Sequence, residues 1–448
     1  MKRFLLLTLT LCLLLTSCTY SDLGEQTTSD GKELNPSYQN KDYSLKPYLS
    51  GRHMHFYQNK IFFLDGGCFL AYVTVDEMTP DMDVSKGITE KVIGDYHFTC
   101  PYDDEHFHMG FGGTLSCPIK IGNYSTFLLD GYESNGSYPV FYFTYTHPNA
   151  IPDDSDVGNA TEPFYLYRYD SSTNVREQLI ELPGRVLHTM AYGDKIYMSI
   201  ILSSRKSKVM VYDKKTKETN ELAVGTGRIE FLHANDTSVY FGSSVDGPLY
   251  KADDKLTSAE QVFKPKEAYD VSGGKMELFG MFVYDNMLYY RSDYRYAKMP
   301  VDENAEVIQY YEHPYYNYRR LPLDSLSGEG ELVAKDVLGD AEFGVADNAF
   351  YFTPLDCGSK KDKKGYYNFS NGRLCKVNLD TLEYTDVLTD SGLLFYATGF
   401  GYTNGKFIVG TIRPLSEPWV TSWDKNKAAA LYALYDLETG SMYPVYQH

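Results

Sequence analysis

The chain has 448 residues, 43% of them hydrophobic and 23% charged, with a formal net charge of −18. So acidic a balance argues against nucleic acid, or any other anionic polymer, as the main partner. A folded body of about 400 residues also exceeds what one compact core supports, which points to a repeat architecture or to several domains.

The first element is a targeting segment. Lys2 and Arg3 give a positive start, and residues 4–15 form an apolar run too short to cross a bilayer as a mature helix. Leu15-Thr16-Ser17-Cys18 follows. This resembles the lipobox of bacterial lipoproteins, in which small residues precede a Cys. The resemblance implies cleavage before Cys18, a diacylglycerol on its sulfur, and an extracytoplasmic protein lipid-anchored to the membrane of the bacterial cell envelope. An ordinary cleaved signal is the alternative. Residues 1–17 are then the signal peptide, 18–45 the lipidated Cys and a flexible polar tether, and 46–448 the folded body. Loss of Lys2 and Arg3 leaves 40 basic residues (42 less 2) against 60 acidic ones, a net −20.

The body repeats one pattern seven times. A Tyr/Phe-rich strand appears as KIFFLDG (60–66), VFYFTYT (140–146), KIYMSII (195–201), SVYFGSS (238–244), MLYYRSD (287–293), AFYFTPL (349–355) and KFIVGTI (406–412). Each is followed by a second strand that usually ends in Asp and a polar turn. Asn, Asp and Gly just before the first strand supply the positive φ of tight hairpin turns. Each repeat is then the central pair of a four-stranded meander, with strands termed A to D, and the aromatic strand is B. The pattern predicts an all-β protein, a seven-bladed β-propeller of mainly four-stranded blades. Closure of such a ring predicts that the first ordered strand, near 47–57, lies beside the last, near 441–447.

Spare length falls mainly between B and C, at 147–163, 293–318, 356–371 and 413–428. In an antiparallel blade these connections leave one end, while the short A–B and C–D turns leave the other. The built-up end is the candidate binding face. Its aromatic residues are Trp419 and Trp423, the only two Trp, and Tyr310, Tyr311, Tyr315, Tyr316 and Tyr318 around His313-Pro314. They either contact a ligand or pack on adjacent strands. The fifth repeat is ambiguous: 296–311 and 318–337 both read as C–D pairs, and the first is taken as an excursion.

Seven Cys occur; beyond Cys12 and Cys18 stand Cys68, Cys100, Cys117, Cys357 and Cys375. Cys357 with Cys375, and Cys100 with Cys117, are either disulfides or buried thiols.

Leu249-Tyr250-Lys251-Ala252-Asp253, Val211-Tyr212-Asp213 and Leu434-Tyr435-Asp436 resemble the YWTD-type and TolB-type propeller group. The resemblance implies a fold and a recognition role rather than a reaction. Residues 431–445 are also similar to the blade motif of quinone-dependent dehydrogenases. Met442-Tyr443 stand where that motif needs Trp, so no quinone, and no other cofactor, is expected.

His53 with His55, and His106 with His108, share a strand face and are either metal-binding or hydrogen-bonding pairs. The acidic run 153–159 misses the EF-hand spacing and reads as a solvated loop. No nucleophile elbow, phosphate loop or zinc-protease motif occurs, so neither a catalytic set nor a metal site is assigned. The favoured role is non-enzymatic binding of a protein, peptide or glycan. An enzyme acting on extracellular glycans or peptides at the channel mouth, or an envelope assembly factor, is the alternative.

Overall fold

The computed structural model describes residues 48–49, 54–57, 60–65, 69–79, 90–91, 98–100, 103–108, 127–134, 138–146, 164–173, 175–202, 206–226, 229–243, 247–265, 280–300, 310–355, 373–389, 393–396, 402–414 and 431–447. Nearly all of them lie in antiparallel strands or tight turns; the helical content among them is one 3-10 turn, Val75–Glu77.

After β1 (Tyr48–Leu49), the first repeat forms the sheet β2 (Met54–Tyr57), β3 (Lys60–Asp65), β4 (Phe69–Thr74) and β5 (Glu90–Lys91). A separate pair, β6 (Phe98–Cys100) and β7 (Asp103–His108), follows. The second repeat is β8 (Phe127–Leu129), β9 (Val140–Thr146), β10 (Phe164–Asp170) and β11 (Val175–Leu182). The third is β12 (Arg185–Tyr192), β13 (Lys195–Ile201), β14 (Lys206–Asp213) and β15 (Thr219–Thr226). The fourth is β16 (Ile229–Ala234), β17 (Ser238–Ser243), β18 (Leu249–Asp253) and β19 (Ala259–Phe263).

The fifth and sixth repeats merge into one seven-stranded sheet. Its strands are β20 (Phe282–Tyr284), β21 (Met287–Pro300), β22 (Tyr310–Pro322), β23 (Glu331–Ala346), β24 (Ala349–Pro354), β25 (Leu374–Asn378) and β26 (Tyr384–Leu388). β23 serves both repeats, as the last strand of one and the first of the next. The seventh repeat holds β27 (Leu393–Tyr396), β28 (Tyr402–Thr403), β29 (Phe407–Pro414), β30 (Leu431–Asp436) and β31 (Met442–Gln447). All seven aromatic segments are therefore B strands, each paired antiparallel with the C strand that follows. Repeated four-stranded meanders of this kind are the β-propeller fold.

Tyr48 and Leu49 pair with Ala191 and Met190 of β12, Met54–Tyr57 with β3, and the last strand with β30. One expectation is corrected: residues 293–300 and 310–318 are not loop but continue β21 and β22, which pair as one long hairpin.

The chain forms two compact units. The first comprises Met1–Asp76, Ile88–Phe231 and Lys255–Thr257; the second comprises Glu77–Gly87, Leu232–Asp254 and Ser258–His448. In the first, Leu128, Val140 and Leu166 of the second repeat pack on Ile196, Met198 and Ile200 of the third. In the second, Tyr289, Tyr316 and Tyr318 pack on Phe350, Phe352 and Val377. In each unit alternate residues of the B and C strands enter the gap between successive sheets, which is why those strands are apolar on both faces.

Candidate functional site

The short-turn end of several sheets is built by one repeated device. The Asp that closes a C strand accepts hydrogen bonds from backbone N–H groups of its own turn. Asp213 Oδ1 takes those of Lys215 and Thr216, each at 2.9 Å, and Asp436 Oδ1 those of Glu438 and Thr439 at 2.8 and 3.1 Å. Asn378 does the same for Asp380 and Thr381, both at 2.9 Å. The first residue of that turn then donates to the neighbouring A–B turn, as in Lys214 N to Asp194 O at 2.7 Å, Leu323 N to Asn286 O at 2.9 Å and Leu437 N to Lys406 O at 2.9 Å. The Asp of the repeat motif is thus a turn acceptor.

A buried polar cluster reinforces this end in the first unit. Asp130 and Glu133 stand in the A–B connection of the second repeat. Lys214, from the third, reaches Asp130 Oδ2 at 2.6 Å and Glu133 Oε1 at 3.1 Å. Arg168 Nε donates to Glu133 Oε2 at 2.7 Å, and the Tyr142 hydroxyl to Glu133 Oε1 at 2.5 Å. Burial lifts the Asp130 carboxyl above its usual range despite Lys214. Glu133 is also partly buried, but Lys214, Tyr142 and Arg168 together hold it below its usual range. Burial pushes the phenol of Tyr57, which bonds Ser134, up to about 12. These groups are mutually neutralised, which suits a clamp between successive sheets. Sequence reading missed it, since no local spacing links Asp130 to Lys214.

The opposite end carries the B–C connections, and the long hairpin is their best-described part. β21 and β22 pair from Met287↔Pro322 to Ser292↔Asn317, then from Arg295↔Tyr315 to Pro300↔Tyr310. Between these ladders Asp293 and Tyr294 face one residue, Tyr316, in a bulge with Asp293 at φ 53°. Asn317, itself buried, donates to Asp293 Oδ2 at 2.9 Å and accepts from Arg295 Nη2 at 3.1 Å and Asp336 N at 3.0 Å. Arg295 bridges on to Asp336 Oδ1 at 2.6 Å and lies over the Tyr315 ring at 4.6 Å.

Beneath the bulge is a second buried cluster. Arg291 Nη2 meets Glu342 Oε1 at 2.6 Å, and the guanidinium stacks on Tyr316 at 4.4 Å. The Tyr316 hydroxyl donates to the same carboxylate oxygen, as does that of Tyr318 at 3.1 Å. Burial, with Glu342 adding to it, holds both phenols well above their ordinary value. Glu342 outweighs the burial of Arg291 and keeps the guanidinium charged. Un-ionised, both phenols act as hydrogen-bond donors to the Glu342 carboxylate.

The sequence-nominated aromatics therefore separate. Tyr316 and Tyr318 are core side chains, 1% and 2% exposed, and not part of an exposed loop. Tyr315 is half-buried under Arg295. Tyr310 and Tyr311 occupy the distal ribbon opposite Pro300 and Met299; their side chains lie outside the described residues. Trp419, Trp423, Cys18, Cys68, Cys117, Cys357, His53 and the acidic run 153–159 also lie outside them. His55, Cys100, His106 and His108 are placed on strands by backbone only. Cys375 is a buried thiol whose Sγ donates to Asp386 Oδ1 at 3.2 Å, the second of the two alternatives for that residue. Among the described residues no three His, Cys, Asp or Glu side chains are grouped to hold a metal ion.

No protein-family profile and no curated protein matches the chain. Solved structures do. The beta-propeller domain of the Trilobed protease from Pyrococcus furiosus aligns at TM-score 0.37 and 12% identity, over 68% of this chain and 81% of that one. The Nidogen/Laminin Complex gives 0.33 and 10%, over 62% and 88%, and TolB from Acinetobacter baumannii 0.28 and 10%, over 58% and 59%. The likeness is to β-propeller structures and bears on the fold, not on what this chain does.

Proposed function

We propose that this protein is a membrane-anchored lipoprotein of the bacterial envelope whose propeller, with one blade per repeat, binds an extracytoplasmic protein, peptide or glycan without catalysing a reaction. The observation that carries the reading is the asymmetry of the sheets. In the third, fourth and sixth repeats the A–B and C–D turns are short, and hydrogen bonds knit such turns together in the third, fourth, sixth and seventh. Four long connections fall between B and C strands, at 147–163, 301–309, 355–373 and 415–430, and the link 264–281 between successive repeats leaves the same end of its sheets; against them stand the C–D connection 75–89 of the first repeat and the A–B connection 130–139 of the second. Most of the chain length that the sheets themselves do not need is spent at the B–C end, as in proteins whose loops carry recognition. The lipobox-like start, ending at Cys18, supports the anchored location. The two clusters described above are closed ion pairs, which favours scaffold and recognition over catalysis at those places.

The test uses Trp419 and Trp423, the only tryptophans, which fall in the 415–430 connection. A partner is captured from the organism's own envelope extract, and its affinity is then measured for wild type and for Trp419→Ala with Trp423→Ala. The double variant is expected to bind about 30-fold more weakly, roughly 2 kcal/mol, with its melting temperature unchanged. A markedly lower melting temperature with affinity intact would place the tryptophans in the core and refute the aromatic binding face.

A further inference from the structure

Both strands of the long hairpin are rich in tyrosine. Tyr stands at 289, 290, 294 and 296 on β21 and at 310, 311, 315, 316 and 318 on β22. Sliding one strand by two residues keeps every side chain on its own face and moves Tyr289 from opposite Arg320 to opposite Tyr318. The alternation of faces by itself therefore does not choose between these registers. The bulge at Asp293 and Tyr294 is itself a place where registers can exchange.

One feature of the hairpin lacks that degeneracy. Arg291 is held on three sides: by Glu342 of β23 at 2.6 Å, by the Tyr316 ring at 4.4 Å and by the Tyr318 hydroxyl at 3.3 Å. On the remaining side the backbone of Gly280, at φ 133°, lies so close that a Cβ there would sit 2.0 Å from Arg291 Nε. A two-residue slip of β21 moves Arg291 about 7 Å along the strand. It leaves a buried carboxylate and a buried guanidinium each without its partner, which is strongly destabilising. In a blade lacking the pair, well-packed apolar groups would serve stability equally well.

We infer that Arg291 and Glu342, with the hydroxyls of Tyr316 and Tyr318, form the register lock of the β21–β22 hairpin. Glu342 lies where β23 passes from the fifth repeat into the sixth, so the lock ties the hairpin to the neighbouring repeat as well as to its own. It thereby fixes the angle at which the distal ribbon, 295–300 with 310–315, leaves the sheet. On the binding role proposed above, which the lock itself does not require, a locked ribbon presents Tyr310 and Tyr311 in one geometry.

The test is amide hydrogen exchange of the full-length protein, read by mass spectrometry without any partner. Arg291→Met with Glu342→Leu removes both charges and keeps the bulk. Its melting temperature is expected to stay close to wild type, while amides of 295–300 and 310–315 exchange at least about tenfold faster and those of β9 and β10 do not change. Tyr316→Phe with Tyr318→Phe keeps both rings and is expected to accelerate the same segments by a smaller factor. Unchanged ribbon exchange in both variants overturns the lock. Global unfolding of the charge-free variant overturns it too, because the pair would then be a requirement of the fold and not of register.

Discussion

Asp213 shows what one repeated residue contributes. Its carboxyl sits below its ordinary value, mainly because the backbone N–H groups of Thr216 and Lys215 donate to it. A carboxylate depressed in the folded state stabilises fully above its unfolded value, about pH 4, and that stabilisation is lost as pH falls through the lower folded value. Asn378 fills the equivalent position with a neutral amide. Asp213→Asn is therefore expected to keep neutral-pH stability to within a few tenths of a kcal/mol and to flatten the acid limb of a melting curve taken between pH 6 and pH 3. Asp213→Ala, which has no acceptor, is expected to lose about 1 kcal/mol in urea unfolding at pH 7. Equal loss in both variants would show that charge, and not hydrogen-bond acceptance, is what the turn needs. The motif position was readable along the chain, but its partners are the backbone of a turn, which no side-chain pattern displays.

At the level of elements, the hairpin turns agree with what their residues require. Asp285 and Asn286 have φ of 46° and 57°, and Asp347 and Asn348 of 47° and 56°. Positive φ at both central positions gives strands the twist they need, and Asn and Asp tolerate it better than other non-glycine residues. Asn286→Gly is expected to be neutral or slightly stabilising, whereas Asn286→Val should lower stability by about 1–2 kcal/mol, read as the shift of the urea midpoint at constant slope. A neutral Val would mean that the turn relaxes to another type. The fifth repeat was the poorly legible element, and the cause is physical. Pro300 and Pro314 look like strand breakers, and Asp293, Asn317 and the arginines interrupt the apolar alternation that marks a strand. In the fold, β23 pairs with β22 only from Tyr315 onward, so among the described residues the distal ribbon is two-stranded. A strand with one partner tolerates a missing N–H on its other edge. The polar residues that hid the strand are the ones that satisfy one another at the bulge.

For the whole molecule, the lipobox-like start makes a direct prediction about location. Cys18→Ser is expected to abolish acylation, seen as the loss of the lipid mass on the N-terminal peptide, and to move the protein from the membrane fraction to the soluble exported fraction. Retention in the membrane with unchanged mobility would remove the anchor from the reading. Seven aromatic B strands, the C strands that pair with them and the tight hairpin turns at their other ends were legible in the sequence alone, because period-two apolar runs and turn residues act within a few positions of one another. Tertiary structure alone decided which polar residues meet: Lys214 with Asp130, Arg291 with Glu342, Tyr48 and Leu49 with β12. It also decided that Tyr316 and Tyr318 are core and that Cys375 is a thiol. Those pairings join residues remote in the chain, and they are selected by the cost of burying an unmatched charge, thiol or strand edge, a cost that arises only once the sheets have packed.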